Sequence, residues 1–267
     1  MKPAPFRYAA PDSLAAALDL LAGGNARPLA GGQSLIPMLN LRLVRPGLLV
    51  DLNPLEELAG IELREDGALC IGAMTRQAHL LASAVAAAGW PLLCQALSNV
   101  GHAATRNRGT VGGSAAHADP AAQLPVALTA LDARFHVRSI AGERMLPAAD
   151  FFRGRGVAGL APGDLLVAVE VPPTPRGTAA AFVEHAKTHG GFPTAGVAVL
   201  HAPARHSAIA LLGAGPAPVR ATAAEHALSG GASVDEVASL AAAVVGDDHR
   251  RAVIGALARR ALEGVTT

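Results

Sequence analysis

Ala30-Gly31-Gly32-Gln33-Ser34-Leu35 is the stretch on which the reading of this chain turns. It lies between a short apolar run, Pro28-Leu29-Ala30, and a helix predicted over Leu35 to Leu43. Ser34 is the candidate N-cap of that helix, and Pro37 falls in its first turn, where a missing N–H costs nothing. Paired glycines allow positive φ and let a ligand come close to the backbone. Successive exposed N–H groups would then form an anion nest, to which the helix N-terminus adds its dipole. The same chemistry recurs at Thr110-Val111-Gly112-Gly113-Ser114. Both loops carry hydroxyls, Ser34 in the first and Thr110 and Ser114 in the second. Two such loops suit a diphosphate. Neither is a P-loop, because no Gly-Lys-Ser/Thr follows, and neither carries the G-x-G-x-x-G of a Rossmann turn. Taken singly, each is weak evidence and reads first as a structural turn.

Outward from the first loop, Ser13 to Ala22 reads as a helix capped by Asp12 or Ser13 and stopped at Gly23-Gly24, and Leu48 to Leu52 as a strand. Ile61 to Glu65 alternates, Asp66-Gly67 is a hairpin signal, and Ala68 to Ala73 returns as a strand. Thr75 is the candidate cap of a helix over Arg76–Ala88, with further helices near Pro91–Asn99 and Leu124–Leu131. Strands are predicted at Arg134–Arg138 and Leu165–Val171. Pro172-Pro173-Thr174-Pro175-Arg176-Gly177 is the strongest break. Beyond it come strands at Ala180–Lys187, Thr194–Leu200 and Ala208–Leu212, then helices near Ala221–Ser229, Val234–Val245 and Arg250–Gly264. Strands followed by helices, with hairpin spacing, predict an α+β fold rather than alternating βαβ units. The expected division is 1–55, 56–176 and 177–267, the third part being an antiparallel sheet with helices.

The chain has 267 residues, 51% apolar and 16% charged, which predicts a folded globular protein. No apolar stretch is long enough to predict a transmembrane helix, and the opening Met1-Lys2-Pro3-Ala4-Pro5-Phe6-Arg7-Tyr8 has no apolar signal region, so a cytoplasmic location is expected. A net charge of +1 with only 3% aromatics gives no basic stripe for nucleic acid. Two cysteines, Cys70 and Cys94, are too few for a four-cysteine iron–sulfur cluster.

The two loops together resemble those of the FAD-binding subunits of the xanthine dehydrogenase and carbon monoxide dehydrogenase family of molybdenum hydroxylases. Ala30 to Leu35 is similar to that family's A-G-G-[HQ]-S-L, and Leu49-Val50-Asp51 to the strand after it. Ile71-Gly72-Ala73-Met74-Thr75 and the run from Arg106 to Ser114, continuing into Ala118-Asp119-Pro120, are also family-like. Gly215 to Arg220 and Arg259-Arg260-Ala261-Leu262 resemble its C-terminal part. The resemblance implies FAD as cofactor in a two-part domain of the PCMH type. Ala30, Gly31, Gly32, Gln33, Ser34 and Leu35, with Thr110, Val111, Gly112, Gly113 and Ser114, would hold the pyrophosphate. Ala118 and Asp119 would lie along the flavin, Leu165 or Leu166 would pack near it, and Phe192 would sit by its ring. It further implies a molybdenum-cofactor large subunit and a small iron–sulfur subunit as partners, assembled as a dimer of heterotrimers, with this chain carrying electrons to an external acceptor. Two positions depart from the pattern. Gln123 stands where the family usually has Asp, and Gly191 where it often has an acid before the aromatic residue; Gln123 can still hydrogen-bond a ribityl hydroxyl.

Other readings stay beside this one: a stand-alone FAD-dependent oxidoreductase, or a scaffold that has lost the cofactor, which the intact loops argue against. His185 and His189 fall in a strand and turn, so no metal pair is read there. His102, His117 and Asp119 come without a G-x-S-x-G nucleophile elbow. No catalytic or metal-ligating residue is assigned.

Overall fold

A computed structural model describes residues 2–154 and 156–266. The N-terminal part is β1 (Arg7–Ala9), α1 (Leu14–Ala22), β2 (Ala26–Leu29), α2 (Leu35–Asn40) and β3 (Leu48–Asp51). Its three strands are parallel in the order β1-β3-β2. This first part therefore alternates strand and helix, unlike the sequence-based expectation for the whole chain; strands of three and four residues are too short to carry a periodic signal. Ser13 caps α1 by accepting from Ala16 N–H at 3.4 Å. Leu14, Ala17, Leu18 and Leu21 place one stripe of α1 in a small core with Val50, Leu52, Leu58 and Met74.

The central part begins with the hairpin β4 (Ile61–Leu63) and β5 (Leu69–Gly72), turned at Gly67 with φ +82°. Five helices follow: α3 (Gln77–Leu81), α4 (Ala84–Gly89), α5 (Pro91–Ser98), α6 (Ala103–Arg108) and α7 (Val111–His117), then α8 (Gln123–Ala130). Next come β6 (Arg134–Ser139), β7 (Gly142–Pro147), α9 (Ala148–Phe151), β8 (Phe152–Gly154), β9 (Val157–Ala158) and β10 (Leu165–Val171). The strands β4-β5-β10-β6-β7 form one antiparallel sheet. The helix expected over Arg76–Ala88 is broken at Ala82-Ser83, where Ser83 caps a new helix by accepting from Ala86 N–H. Thr75 does not cap it. Its buried hydroxyl instead closes onto Gly60, donating to the carbonyl at 2.8 Å and accepting from the N–H at 2.9 Å.

The last part is β11 (Ala179–His185), β12 (Ala195–Ala202), β13 (His206–Leu212) and β14 (Val219–Arg220), an antiparallel sheet in that order, then α10 (Thr222–Ser229), α11 (Val234–Ala243) and α12 (Asp248–Thr266). Every residue of β12 is buried. Alternation explains this: Ala195, Val197 and Val199 face the helices α10–α12, while Ala198 and Leu200 face the central core. β13 repeats the pattern, with Ile209 and Leu211 on one side and Ala208, Ala210 and Leu212 on the other. The sheet is thus a shared wall between two cores, and α5 and α8 press on its inner face. Gln95 Nε2–H donates to Ala180 O at 3.1 Å and Arg220 Nη1–H to Thr129 O at 3.2 Å, stitching the last part to the centre, while Trp90 Nε1–H donates to Pro172 O at 2.7 Å at the start of the connection between them. Among the described residues no helix is long and apolar enough to cross a membrane.

Candidate functional site

The first glycine loop leaves β2 and enters α2. Gly32 has φ +74°, which a side chain with a Cβ adopts only under strain, so the turn depends on that glycine. Ser34 is helical at φ −99°, ψ −45°, and makes no capping bond. Its hydroxyl and the N–H groups of Gly32, Gln33 and Ser34 have no acceptor within the described residues. Helix starts leave N–H groups without intrahelical partners, and Gln33 and Ser34 are exposed, so these three N–H groups are open to water or to an acceptor from outside the chain.

The second loop is built differently. Thr110 is the N-cap of α7: its Oγ1 accepts from Gly113 N–H at 3.0 Å, and its carbonyl from Ser114 N–H at 3.1 Å. Val111 N–H donates to Thr75 O at 2.9 Å and Gly112 N–H to Ala73 O at 2.8 Å. Four of the five amides expected to form a nest are therefore committed inside the protein. The Thr110 N–H and the Ser114 hydroxyl remain free. Close packing, not ligand approach, requires the glycine at 112, where an added Cβ would lie 2.5 Å from the Ala73 Cβ.

The two loops touch. A Cβ on Gly31 would come within 2.2 Å of Arg108 O, so loop one is seated directly on the turn that leads into loop two. Together they wall a cavity of about 570 Å³, within the range of ~300–1,000 Å³ usual for small-molecule sites. Fourteen of the sixteen residues expected at the site line it: Ala30 to Leu35, Thr110, Gly112 to Ser114, Asp119, Gln123, Leu166 and Phe192. The other two lie behind the wall. Val111 is fully buried in the core, and Ala118, at φ 48°, ends α7 with its N–H on Ser114 O and Ala115 O. Leu165, the alternative to Leu166, also reaches the cavity.

Residues from all three parts meet here. Gly190, Gly191 and Phe192 come from the β11–β12 connection, and Phe192 is 76% exposed at the rim. Gln123 is buried at the start of α8, donating through Nε2–H to Asn99 O at 3.2 Å and meeting Glu184 of β11. Burial pushes the Glu184 carboxyl above its ordinary range, against the opposing hydrogen bond with Gln123, and its Oε2 is buried without a partner. Hydrogen bonds from Arg144 hold the lining residue Asp164 below the ordinary carboxylate range, although burial opposes them. Gln77, Thr105, Met38 and Asp164 also line the cavity. The residue-by-residue reading missed them; Gln77 sits 33 positions before Thr110 with no spacing signal, and only folding of α3 against α6 brings it there.

A cleft lined by free amides, free hydroxyls and apolar side chains suits a phosphate-bearing cofactor with an apolar body. Residues 4–174 match the family described as the FAD binding domain in molybdopterin dehydrogenase. The chain is 42% identical over 270 residues to the 6-hydroxypseudooxynicotine dehydrogenase complex subunit alpha of Paenarthrobacter nicotinovorans, covering 98% of this chain and 91% of that one. Its fold is similar to a chain of carbon monoxide dehydrogenase from Hydrogenophaga pseudoflava, with TM-score 0.94, 35% identity and coverage of 99% and 98%. It is likewise similar to quinoline 2-oxidoreductase from Pseudomonas putida 86, with TM-score 0.90, 34% identity and coverage of 99% and 98%. The chain belongs to this family: it is an oxidoreductase flavoprotein subunit of the molybdenum hydroxylase type, and its cofactor is FAD.

Proposed function

We propose that this chain is the electron-relay subunit of a cytoplasmic complex with a molybdenum-cofactor large subunit and a small iron–sulfur subunit, built as a dimer of heterotrimers. The convergence of both glycine loops on one cavity carries the reading. In it the N–H groups of Gly32, Gln33 and Ser34, the Thr110 N–H and the hydroxyls of Ser34 and Ser114 hold the pyrophosphate of FAD. Charge-assisted bonds from backbone amides to phosphate are among the stronger hydrogen bonds. Asp119 and Gln123 face the ribityl chain, and Leu166 and Phe192 cover the ring. Val111 and Ala118 support these groups from behind. Bound FAD supplies one- and two-electron redox chemistry, which suits a link between iron–sulfur clusters on a partner and an external acceptor. The chain divides functionally at 1–55, 56–176 and 177–267, the first two parts gripping the cofactor and the third closing its apolar end.

The relay role leaves the substrate chemistry to the molybdenum subunit. The test is rapid mixing of the FAD-loaded chain alone with N-heterocycles, aldehydes and carbon monoxide. The flavin absorbance should stay unbleached with each. Fast bleaching by any of them without a partner subunit would replace this reading with that of a stand-alone oxidoreductase.

A further inference from the structure

Behind the point where the loops meet lies a side-chain network that does not line the cavity. Asn53 follows β3, and its Nδ2 donates to Ala30 O at 3.2 Å, in the first loop, and to Asp51 Oδ1. Arg76 precedes α3. Its Nη2 donates to Asn53 Oδ1 at 2.7 Å, and its Nη1 to Arg108 O at 2.6 Å, the carbonyl on which Gly31 is seated. Asp51 is fixed in turn by the Tyr8 hydroxyl at 2.5 Å and by Asn53 N–H at 3.0 Å. The path Ala30–Asn53–Arg76–Arg108 therefore runs from one loop to the other in three hydrogen bonds.

The chemistry of each member admits few substitutes. The Asn53 amide has both N–H bonds directed at oxygens and its carbonyl directed at a guanidinium, so all three groups are used in one orientation. A carboxylate of the same shape would turn acceptors toward Ala30 O and Asp51. Arg76 makes no ion pair within the described residues; its fork instead reaches two oxygens on different segments, a geometry that a lysine point charge does not reproduce.

We propose that Asn53 and Arg76 are positioning residues that clamp the two glycine loops at a fixed separation, and that this separation sets the affinity for FAD. The proposal rests on the reading that the loops hold FAD. A shift of the loops by a fraction of an ångström misaligns the free N–H groups of Gly32, Gln33 and Ser34 with the Thr110 N–H, and hydrogen bonds weaken steeply with misalignment.

The experiment measures the FAD dissociation constant and the melting temperature of the FAD-free full chain for wild type, Asn53→Ala, Arg76→Gln, the double variant, and Gly32→Val as a control on the site. Each single clamp variant should bind FAD at least about tenfold more weakly, while the melting temperature of the FAD-free chain falls by no more than about 2 °C. The double variant should lie within about twofold of the weaker single, because residues of one network are not additive. Arg76→Lys, which keeps one donor, should recover part of the affinity, and it decides the matter should Arg76→Gln not fold. FAD affinity within about twofold of wild type in the clamp variants, with Gly32→Val defective, overturns the clamp and leaves the site intact. Wild-type affinity in Gly32→Val overturns the site reading itself.

Discussion

The two glycine loops share a composition and differ in what their glycines are for. In Ala30–Leu35 the backbone is left open: Gly32 turns it through positive φ, and three N–H groups in succession find no acceptor. In Thr110–Ser114 four of the five amides are already satisfied, by Ala73, Thr75 and the Thr110 cap. Gly112 is there because Ala73 leaves no room for a Cβ. On the proposed function the first loop is the recognition surface, and the second is a support that presents one N–H and one hydroxyl. Identical residues in a sequence can thus answer to two physical demands, conformational freedom and close packing, and only the packing partner tells them apart.

The sharpest break of that comparison is Gly31→Ala. The methyl would collide with the Arg108 carbonyl, a backbone group with little room to yield, so both loops must move apart. The expected result is loss of FAD from the purified chain and a destabilisation of about 3 kcal/mol in urea unfolding. Retention of full flavin content would show that the loops do not depend on their mutual contact. Thr110→Val acts on the second loop alone. It deletes the acceptor of Gly113 N–H and should cost about 1 kcal/mol, the usual value of a cap, with α7 opening before the rest of the chain in hydrogen exchange at Gly113 and Ser114. Unchanged exchange there would mean that the cap does not hold the loop.

The smallest effect is expected at Glu184→Gln. The folded-state pKa of Glu184 is raised from the ordinary 4.5 by burial, so its contribution to stability is present below the ordinary value and is lost as pH rises through the raised one. The variant should match wild type at low pH and become the more stable of the two as pH rises toward neutrality. The gain should stay under about 1 kcal/mol, because the side chain is half-exposed and solvent screens it. Melting curves across pH 4 to 8 (about four units, the span over which a perturbed carboxyl titrates) would test this; a gap that narrows with rising pH contradicts it.

Much of the architecture is legible in local signals. The β10 strand, the Asp66-Gly67 hairpin and the N1 proline of α5 coincide with their expected places because pattern and turn chemistry act within a few residues. What was hidden depends on distant partners. The helix α7 carries Gly112 and Gly113 in its first turn, each unfavourable by about 1 kcal/mol, and forms because Ala73 and Thr110 satisfy it. The parallel order β1-β3-β2 places the last strand in the middle, which no short run of three residues announces. At the site, the two loops were readable as motifs. Asn53 and Arg76 were not, since they are joined across 23 positions by a hydrogen bond with no periodicity to reveal it.

The wall formed by β12 and β13 has a practical meaning for anyone wishing to build a minimal flavin carrier. The stretch matched by the family ends at residue 174, yet Ala198, Leu200, Ala208, Ala210 and Leu212 fill the same core as Leu92, Leu97 and Leu128. A gene cut after residue 176 would keep both glycine loops and uncover the inner faces of α5 and α8. That fragment should be recovered in inclusion bodies, as exposed apolar patches of this kind aggregate. A portable version needs either the whole sheet or polar replacements along those two helices.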